Sequence, residues 1–159
     1  MSGLIIAAPS SSSGKTTVTL ALLRALSRRG QAVSPIKIGP DYIDPGFHAA
    51  ACGADCWNLD AWALGSAAYV DVIRRSEARG TLVVAEGVMG LFDGATLDEG
   101  ATADVAASTG WPVILVVDAS GMAASIAALV HGFATFRPDV RIGGVIANKI
   151  GSSRHRAIL

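Results

Sequence analysis

The sequence has few cysteines, no long hydrophobic run and no signal for export, and each shortage excludes a class of protein. Its two cysteines, Cys52 and Cys56, are too few and too close together for a disulfide-stabilised fold. No apolar segment reaches the roughly 18 residues of a membrane-spanning helix. The N-terminus lacks the charged, apolar and small-residue order of a signal peptide. We therefore expect a cytoplasmic protein with no membrane association.

The chain also lacks an excess of charge of either sign. Lys plus Arg and Asp plus Glu number 13 each, so the formal net charge is zero. Neither a broad basic surface for nucleic acid nor a polybasic membrane anchor is present. We expect no nucleic-acid partner and favour a small or locally steered ligand. With 159 residues, 51% of them hydrophobic and only 16% charged, the chain can form one domain with a substantial core.

Apolar segments of strand length alternate with helical patterns along the chain. Near-continuous apolar strands separated by helices predict an α/β fold, a parallel sheet with helices on both faces. Pro35 indicates that the second strand lies at a sheet edge or that the proline stands at the start of the strand. Residues 39–46 contain too much Gly and Pro to be anything but a shaped loop. The predicted strands are 3–8, 32–37, 81–86, 112–117 and 143–148, and the predicted helices are 16–29, 66–79, 102–109, 122–136 and one from Ser152.

The loop after the first strand is typical of a phosphate-binding P-loop. Gly14-Lys15-Thr16-Thr17 provides a lysine for the outer phosphates and a hydroxyl for Mg²⁺ at a helix start, where the dipole favours anions. Pro9 stands where the strict P-loop pattern has glycine. The alternative is a serine N-cap before an ordinary helix. Strand, small-residue loop and helix in this order favour the P-loop, and its predicted nucleotide-binding residues are Ser11, Ser12, Ser13, Gly14, Lys15, Thr16 and Thr17.

Ligands of parallel sheets bind beyond the carboxyl ends of the strands, where the second and third strands both carry charged residues. Lys37 ends the second strand, and Asp41 and Asp44 in the following loop could hold Mg²⁺ or orient a substrate. As an alternative, both aspartates are simply good turn formers beside proline. Glu86 ends the third strand in the Walker B role of a Mg²⁺ ligand. Asp93 then reaches the reaction centre from a glycine-rich loop, unless that loop is only a surface turn.

The fourth and fifth strands end in residues with more than one interpretation. Asp118 is either a site residue or the cap of the next helix together with Ser120. Asn148-Lys149-Ile150-Gly151 resembles the Asn-Lys-x-Asp of P-loop GTPases, but Gly151 replaces the aspartate that reads guanine. An asparagine amide can pair with the edge of adenine instead, so Asn148 and ATP are the favoured pair.

His48, Cys52 and Cys56 are spaced by four, and on one helix they would share a face. A zinc site is conceivable, but the pattern is a weak signal, and buried thiols are common in proteins. A catalytic role for either cysteine lacks a partner histidine and acid. We therefore predict no zinc site and no cysteine nucleophile.

Four stretches taken together, "APSSSSGKTT", "KIGPDYIDPGFH", "NLDAW" and "EGVMGLFDG", resemble one family. This family is the N-terminal synthetase domain of the cobyrinic and hydrogenobyrinic acid a,c-diamide synthases of cobalamin biosynthesis. The resemblance runs in order from the N-terminus to about residue 150. It implies a fold like that of dethiobiotin synthetase, another ATP-dependent P-loop enzyme that forms amide or urea bonds. The loop of the family usually has glycine where Ser12 stands.

The resemblance implies a role for each of the strand-end residues. Lys15 and the loop amides hold the β- and γ-phosphates of ATP, and Thr16, Asp44 and Glu86 surround Mg²⁺. Lys37 stabilises the transferred phosphoryl group, and Asp93 aids the second half-reaction. The remaining roles are the adenine contact of Asn148 and the placement of the reacting carboxylate by Asp41, Tyr42 and Ile43.

The implied reaction is amidation of the a and c carboxylates of a tetrapyrrole, a corrin-ring precursor, through an acyl phosphate. Ammonia comes from glutamine in a C-terminal glutaminase domain, so residues 1–159 are expected to be an incomplete synthetase domain. A homodimer is expected from the family alone. Two alternatives are a dethiobiotin-synthetase-like ligase and a partitioning ATPase, although the latter usually carries a lysine where Ser10 stands.

Overall fold

The computed structural model describes residues 3–60, 62–78, 82–96 and 99–159. Strands and helices alternate along most of the chain. The strands are β1 (Gly3–Ala7), β2 (Val33–Ile38), β3 (Trp57–Leu59), β4 (Leu82–Glu86), β5 (Val113–Asp118) and β6 (Ile142–Asn148). The helices are α1 (Lys15–Arg28), α2 (Asp44–Cys52), α3 (Ser66–Ala78), α4 (Thr102–Thr109), α5 (Ser125–Thr135) and α6 (Ser153–Ile158).

The described strands form one parallel sheet in the order β3-β2-β4-β1-β5-β6. Successive side chains of a strand point to opposite faces, and the sheet has a hydrophobic core on each face. Ile5 belongs to the core packed by α3, α4 and α5, whereas its neighbour Ile6 belongs to the core packed by α1 and the end of α2. The predicted α/β class, with helices on both faces, is confirmed.

The region between β2 and α3 differs from the sequence-based prediction. The loop predicted over 39–46 ends early, because α2 begins at Asp44 with a proline in its first turn, where the absent N–H costs nothing. The pattern also missed β3, whose three residues are too few for a strand signal. The placement of Pro35 at an edge or a strand start is wrong, since β2 is flanked by β3 and β4. Pairing with β3 begins at Ile36, so Pro35 has a paired strand on its β4 side only.

The other elements agree with their predicted bounds to within a few residues. Arg79 of the predicted helix 66–79 and Thr81 of the predicted strand 81–86 lie outside the described residues. Within the part of the chain that the structure describes, no helix has the length and apolar character needed to cross a membrane.

Strand order determines which chain segments meet at the carboxyl edge of the sheet. Because β4 lies between β2 and β1, Glu86 is the register partner of Lys37 on one side and of Ile6 on the other. Asn58 of β3 is the next partner of Lys37. The loop between β1 and α1 therefore begins beside Glu86, and residues distant in the sequence form one polar row.

Candidate nucleotide-binding site

The loop between β1 and α1 has the backbone of a tight phosphate loop rather than of a serine cap. The N-cap of α1 is Gly14, in the left-handed conformation with φ +94°, and no side chain caps the helix. The alternative of a serine N-cap is therefore wrong. Ser12 also has a positive φ, +63°, and the buried Ser13 donates from Oγ to the carbonyl of Ser10 at 2.9 Å. The remaining predicted loop residues, Ser11 and Thr17, are exposed.

Lys15 joins the phosphate loop to the loop after β4. Its Nζ donates to the carbonyl of Met89 at 2.6 Å and to that of Ser10 at 3.4 Å. Burial lowers the pKa of Lys15, and the negative charge of Glu86 opposes part of this effect. Met89 has φ +49°, so its carbonyl is presented by a conformation that a non-glycine residue seldom adopts.

Oxygen atoms from three chain segments converge beside the start of α1. Thr16 Oγ1 lies 3.1 Å from Asp44 Oδ2 and 2.7 Å from Glu86 Oε1. Asp41 fixes the chain direction here, because its Oδ1 accepts hydrogen bonds from the backbone N–H groups of Ile43 and Asp44, both at 3.0 Å. The carboxylate of Asp44 is thereby held at the first turn of α2.

Lys37 is the cation at the centre of these carboxylates. Its Nζ lies 2.5 Å from Asp44 Oδ2, 3.0 Å from Glu86 Oε1 and 3.3 Å from Asp41 Oδ2. Burial by itself lowers the pKa of Lys37, but the hydrogen bond to Asp44 and the charge of Glu86 outweigh it, so the pKa is raised. Burial likewise opposes ionisation of Glu86, yet the bonds from His48 and Lys37 lower its pKa. Lys37 is thus held as an ammonium group and Glu86 as a carboxylate.

The composition of this cluster suits Mg²⁺. Asp41, Asp44 and Glu86 together carry three negative charges against the single positive charge of Lys37, which leaves an excess of two. Mg²⁺ prefers hard oxygen ligands and is usually held by one or two carboxylates together with phosphate oxygens. Thr16, Asp44 and Glu86 offer such a donor set. Within the described ranges no three His, Cys, Asp or Glu side chains form a metal-holding group by themselves.

His48 is a buried contact of Glu86 that the sequence prediction missed. Its side chain is 0% exposed, and its Nε2 lies 2.7 Å from Glu86 Oε2. On the other side of the ring, Nδ1 lies 3.6 Å from Cys56 Sγ. Burial and the neighbouring Cys52 raise the pKa of the Cys56 thiol to about 12. The spacing of four between Asp44 and His48 could have indicated that His48 lies near the site, because it places both residues on one face of α2.

The end of β6 contacts the phosphate loop from its other side. Asn148 Nδ2 donates to the carbonyl of Ser13 at 2.9 Å, and Lys149 Nζ donates to the carbonyl of Ser12 at 2.9 Å. Lys149 also pairs with Asp118 Oδ2 at 2.6 Å. Asp118 Oδ1 accepts from both N–H and Oγ–H of Ser120, which closes a local turn. The N-cap of α5 is Ala124, so the alternative that Asp118 and Ser120 cap the next helix is wrong. The adenine contact of Asn148 stays a prediction.

A cleft of about 460 Å³ opens beside the carboxylate cluster. Tyr42 and Ile43 on its rim are 84% and 71% exposed, and Met89 forms the opposite side. Asp93 is an exposed residue of the loop after β4, where its Oδ2 accepts from the N–H of Gly90 at 2.9 Å. The structure thus brings Lys15, Lys37, Asp41, Asp44 and Glu86 together and places Asp93 in the loop that carries Met89.

The positive φ of Ser12 leads to a stability prediction. A left-handed non-glycine residue costs roughly 1–2 kcal/mol, and glycine removes this cost while losing about 0.5–1 kcal/mol in chain entropy. Ser12→Gly is therefore expected to raise the free energy of unfolding by about 0.5–1 kcal/mol, measured by chemical denaturation. Ser11→Gly is the control, because Ser11 has no positive φ. An equal gain in both variants would contradict the assignment of strain to Ser12.

The contact between Asp118 and Lys149 leads to a pH prediction. The hydrogen bond from Lys149, with those from Ser120, lowers the pKa of Asp118 to about 2. A carboxylate with a depressed folded-state pKa stabilises the fold above its unfolded pKa, near 3.9, and loses that contribution as the pH falls toward 2. The free energies of unfolding of wild type and Asp118→Asn should differ by a constant amount above about pH 5 and converge below it. A difference that persists unchanged at pH 2 would refute this.

The chain matches known proteins over its whole length. The family described as the CobQ/CobB/MinD/ParA nucleotide binding domain matches residues 4–159. Hydrogenobyrinate a,c-diamide synthase of Brucella anthropi is 57% identical over 160 aligned positions, which cover 100% of this chain and 37% of that protein. The enzyme of the same name from Rhizobium meliloti is 54% identical over 159 positions. The one from Streptomyces coelicolor is 57% identical over 98% of this chain and 32% of its own length.

These matches confirm the resemblance to the a,c-diamide synthases. The chain spans about a third of the length of the relatives that it matches. A sheet with β4 between β1 and β2, a phosphate loop before α1 and an acidic residue at the end of β4 are what a nucleotide site of this type requires. The chain belongs to the CobQ/CobB/MinD/ParA family of nucleotide-binding domains.

Proposed function

We propose that this chain is the ATP-binding synthetase part of an amide ligase. The substrate is a tetrapyrrole, hydrogenobyrinic or cobyrinic acid, whose a and c side-chain carboxylates become amides in cobalamin biosynthesis. ATP and Mg²⁺ are the cofactors, and the amide nitrogen comes from glutamine through a glutaminase domain elsewhere in the whole protein. The buried cluster of Lys37, Asp44, Glu86 and Thr16 beside the phosphate loop is the observation on which this proposal rests.

The chemistry of amidation explains why such a cluster is needed. Ammonia cannot displace an oxide ion from a carboxylate, so one carboxylate oxygen must first become part of a leaving group. Attack of the carboxylate on the γ-phosphorus of ATP forms an acyl phosphate and releases ADP. Ammonia then attacks the acyl carbon, and phosphate leaves with the original carboxylate oxygen. Both steps develop charge on phosphate oxygens, which fixed cations stabilise.

The cations and donors of the site have separate tasks in this scheme. Lys15 at the start of α1 would bind the β- and γ-phosphate oxygens together with the backbone N–H groups of the loop. Lys37 would stabilise the phosphoryl group in transfer. Thr16, Asp44 and Glu86 would hold Mg²⁺, which when bound neutralises charge on the β- and γ-phosphates. Lys15 Nζ lies 2.6 Å from the carbonyl of Met89, a contact with which phosphate oxygens would compete.

The cleft beside the cluster suits a large and partly apolar acid. Tyr42, Ile43 and Met89 expose apolar surface on its two sides, as a macrocyclic ring requires. Trp62, 62% exposed, extends this surface along the neighbouring recess. A reacting side-chain carboxylate placed against the loop 41–43 would be close to Lys37, because Asp41 lies 3.3 Å from its Nζ. Asp93 would assist the attack of ammonia from the loop after β4.

The test is substrate-dependent ATP cleavage by the full-length protein. We expect ADP and phosphate to form with hydrogenobyrinic or cobyrinic acid and glutamine, and two carboxylates of the tetrapyrrole to become amides by mass. The a,c-diamide of the same acid is the matched control and should not support ATP cleavage. If neither acid is amidated, the assignment fails. ATP cleavage that is independent of any tetrapyrrole would favour a partitioning ATPase instead.

A further inference from the structure

We propose that His48 is the positioning residue of Glu86: its Nε2–H holds one carboxylate oxygen of Glu86 so that the other faces Thr16 and the nucleotide site. The inference rests on the proposed Mg²⁺–ATP site, to which it adds a residue that does not touch the ligand itself. It assigns a function to the histidine of the stretch "PDYIDPGFH".

The two oxygens of Glu86 have different partners. Oε1 lies 2.7 Å from Thr16 Oγ1 and 3.0 Å from Lys37 Nζ, so it faces the phosphate loop. Oε2 lies 2.7 Å from His48 Nε2 and faces the interior between α2 and the sheet. Glu86 and His48 are both 0% exposed, so water cannot replace either partner. Without His48, Oε2 would lose this hydrogen-bond donor in a buried position, and the carboxylate could rotate.

The carboxylate of Glu86 specifies that Nε2 of His48 carries hydrogen. An ionised carboxylate can only accept hydrogen bonds, so Nε2 donates to Oε2. On the far side of the ring, Cys56 Sγ lies 3.6 Å from Nδ1 and 3.9 Å from the carbonyl of Trp57. Cys52 donates from Sγ to the carbonyl of His48 at 3.3 Å and supports the same turn of α2.

In metal sites, residues that do not touch the metal commonly orient a ligating side chain through a buried hydrogen bond, and His48 is placed to do this for Glu86. Loss of such a partner typically lowers metal affinity by about 10- to 100-fold. Thr16 and Lys37 contact only Oε1 of Glu86. Removal of His48 is therefore expected to weaken Mg²⁺ binding more than it weakens binding of metal-free nucleotide.

The experiment measures binding of a non-hydrolysable ATP analogue to the full-length protein as Mg²⁺ is titrated, and again in EDTA. His48→Leu should raise the half-saturating Mg²⁺ concentration by about 10- to 100-fold and change binding in EDTA by less than about threefold. His48→Gln, whose amide N–H can replace Nε2–H, should stay within about threefold of wild type. His131→Leu is the matched control, because His131 is exposed on α5.

Equal half-saturating Mg²⁺ concentrations for wild type and His48→Leu would overturn the proposal, and so would equal impairment of the Leu and Gln variants. Absence of any Mg²⁺-dependent nucleotide binding in wild type would instead overturn the proposed function. Should the Leu variant fail to fold, ¹⁵N spectra of the wild-type histidine rings, assigned with His48→Gln, give an independent answer. Hydrogen on Nε2 of His48 supports the proposal, and an unprotonated Nε2 overturns it.

Discussion

Replacement of Lys37 by methionine is expected to lower the free energy of unfolding by about 3–5 kcal/mol at pH 7. Lys37 is 3% exposed, and its ammonium group is the shared partner of Asp41, Asp44 and the fully buried Glu86. Methionine fills similar space but leaves these carboxylates without their cation, and breaking a buried ion pair from one side has a cost of this size. Chemical denaturation of the full-length protein provides the measurement.

Two further variants separate this effect from the loss of any lysine or arginine. Arg75→Met removes a cation from an exposed pair with Asp71 and should cost less than about 1 kcal/mol. The double variant Lys37→Met with Glu86→Gln should lose less stability than the two single losses added together, because it removes both members of one pair. If Lys37→Met unfolds with the same free energy as Arg75→Met, the cluster does not have the electrostatic role assigned to it.

Replacement of Glu86 by glutamine is expected to lower the rate of amidation at least about 100-fold, the loss typical of removing one preorganised electrostatic group. Glutamine preserves the size of the side chain but removes the negative charge that Thr16 and Lys37 face. The measurement is ADP formation with saturating ATP and tetrapyrrole. Asp71→Asn is the matched control, since it removes one carboxylate charge from an exposed position on α3.

The outcome of this substitution distinguishes two roles for the residue. A defect that a higher Mg²⁺ concentration partly relieves indicates that Glu86 helps to hold the metal. Full activity of Glu86→Gln at every Mg²⁺ concentration would remove Glu86 from the proposed metal set, and the function of the site would then have to be carried by Thr16 and Asp44.

The main part of the candidate site could be predicted from sequence, because ligands of parallel sheets bind beyond the carboxyl ends of the strands. Lys15, Lys37 and Glu86 each follow or end an apolar strand, and parallel strands bring their carboxyl ends to one edge. Strand order was not needed for this inference, although it determines that Lys37 and Glu86 are register neighbours. Lys15 and Glu86 can therefore lie close together in space although 71 residues separate them in the sequence.

Other features depend on tertiary contacts that no local pattern contains. The spacing of four from Asp44 places His48 on the same face of α2, but only the packing of α2 against the sheet brings it to Glu86. The donation from Lys149 to the carbonyl of Ser12 depends on left-handed backbone at both residues. Three-residue β3 is formed because β2 offers a free edge, not because Trp57–Leu59 carries a strand signal.

The central claim, that ATP activates a carboxylate, is tested most directly by the fate of a carboxylate oxygen. The full-length protein would receive ATP, glutamine and hydrogenobyrinic acid labelled with ¹⁸O in its side-chain carboxylates, and the released phosphate would be analysed by mass. An acyl phosphate intermediate predicts one ¹⁸O atom in phosphate for each amide formed from a fully labelled carboxylate. Amide formation with no ¹⁸O in the phosphate would contradict the account.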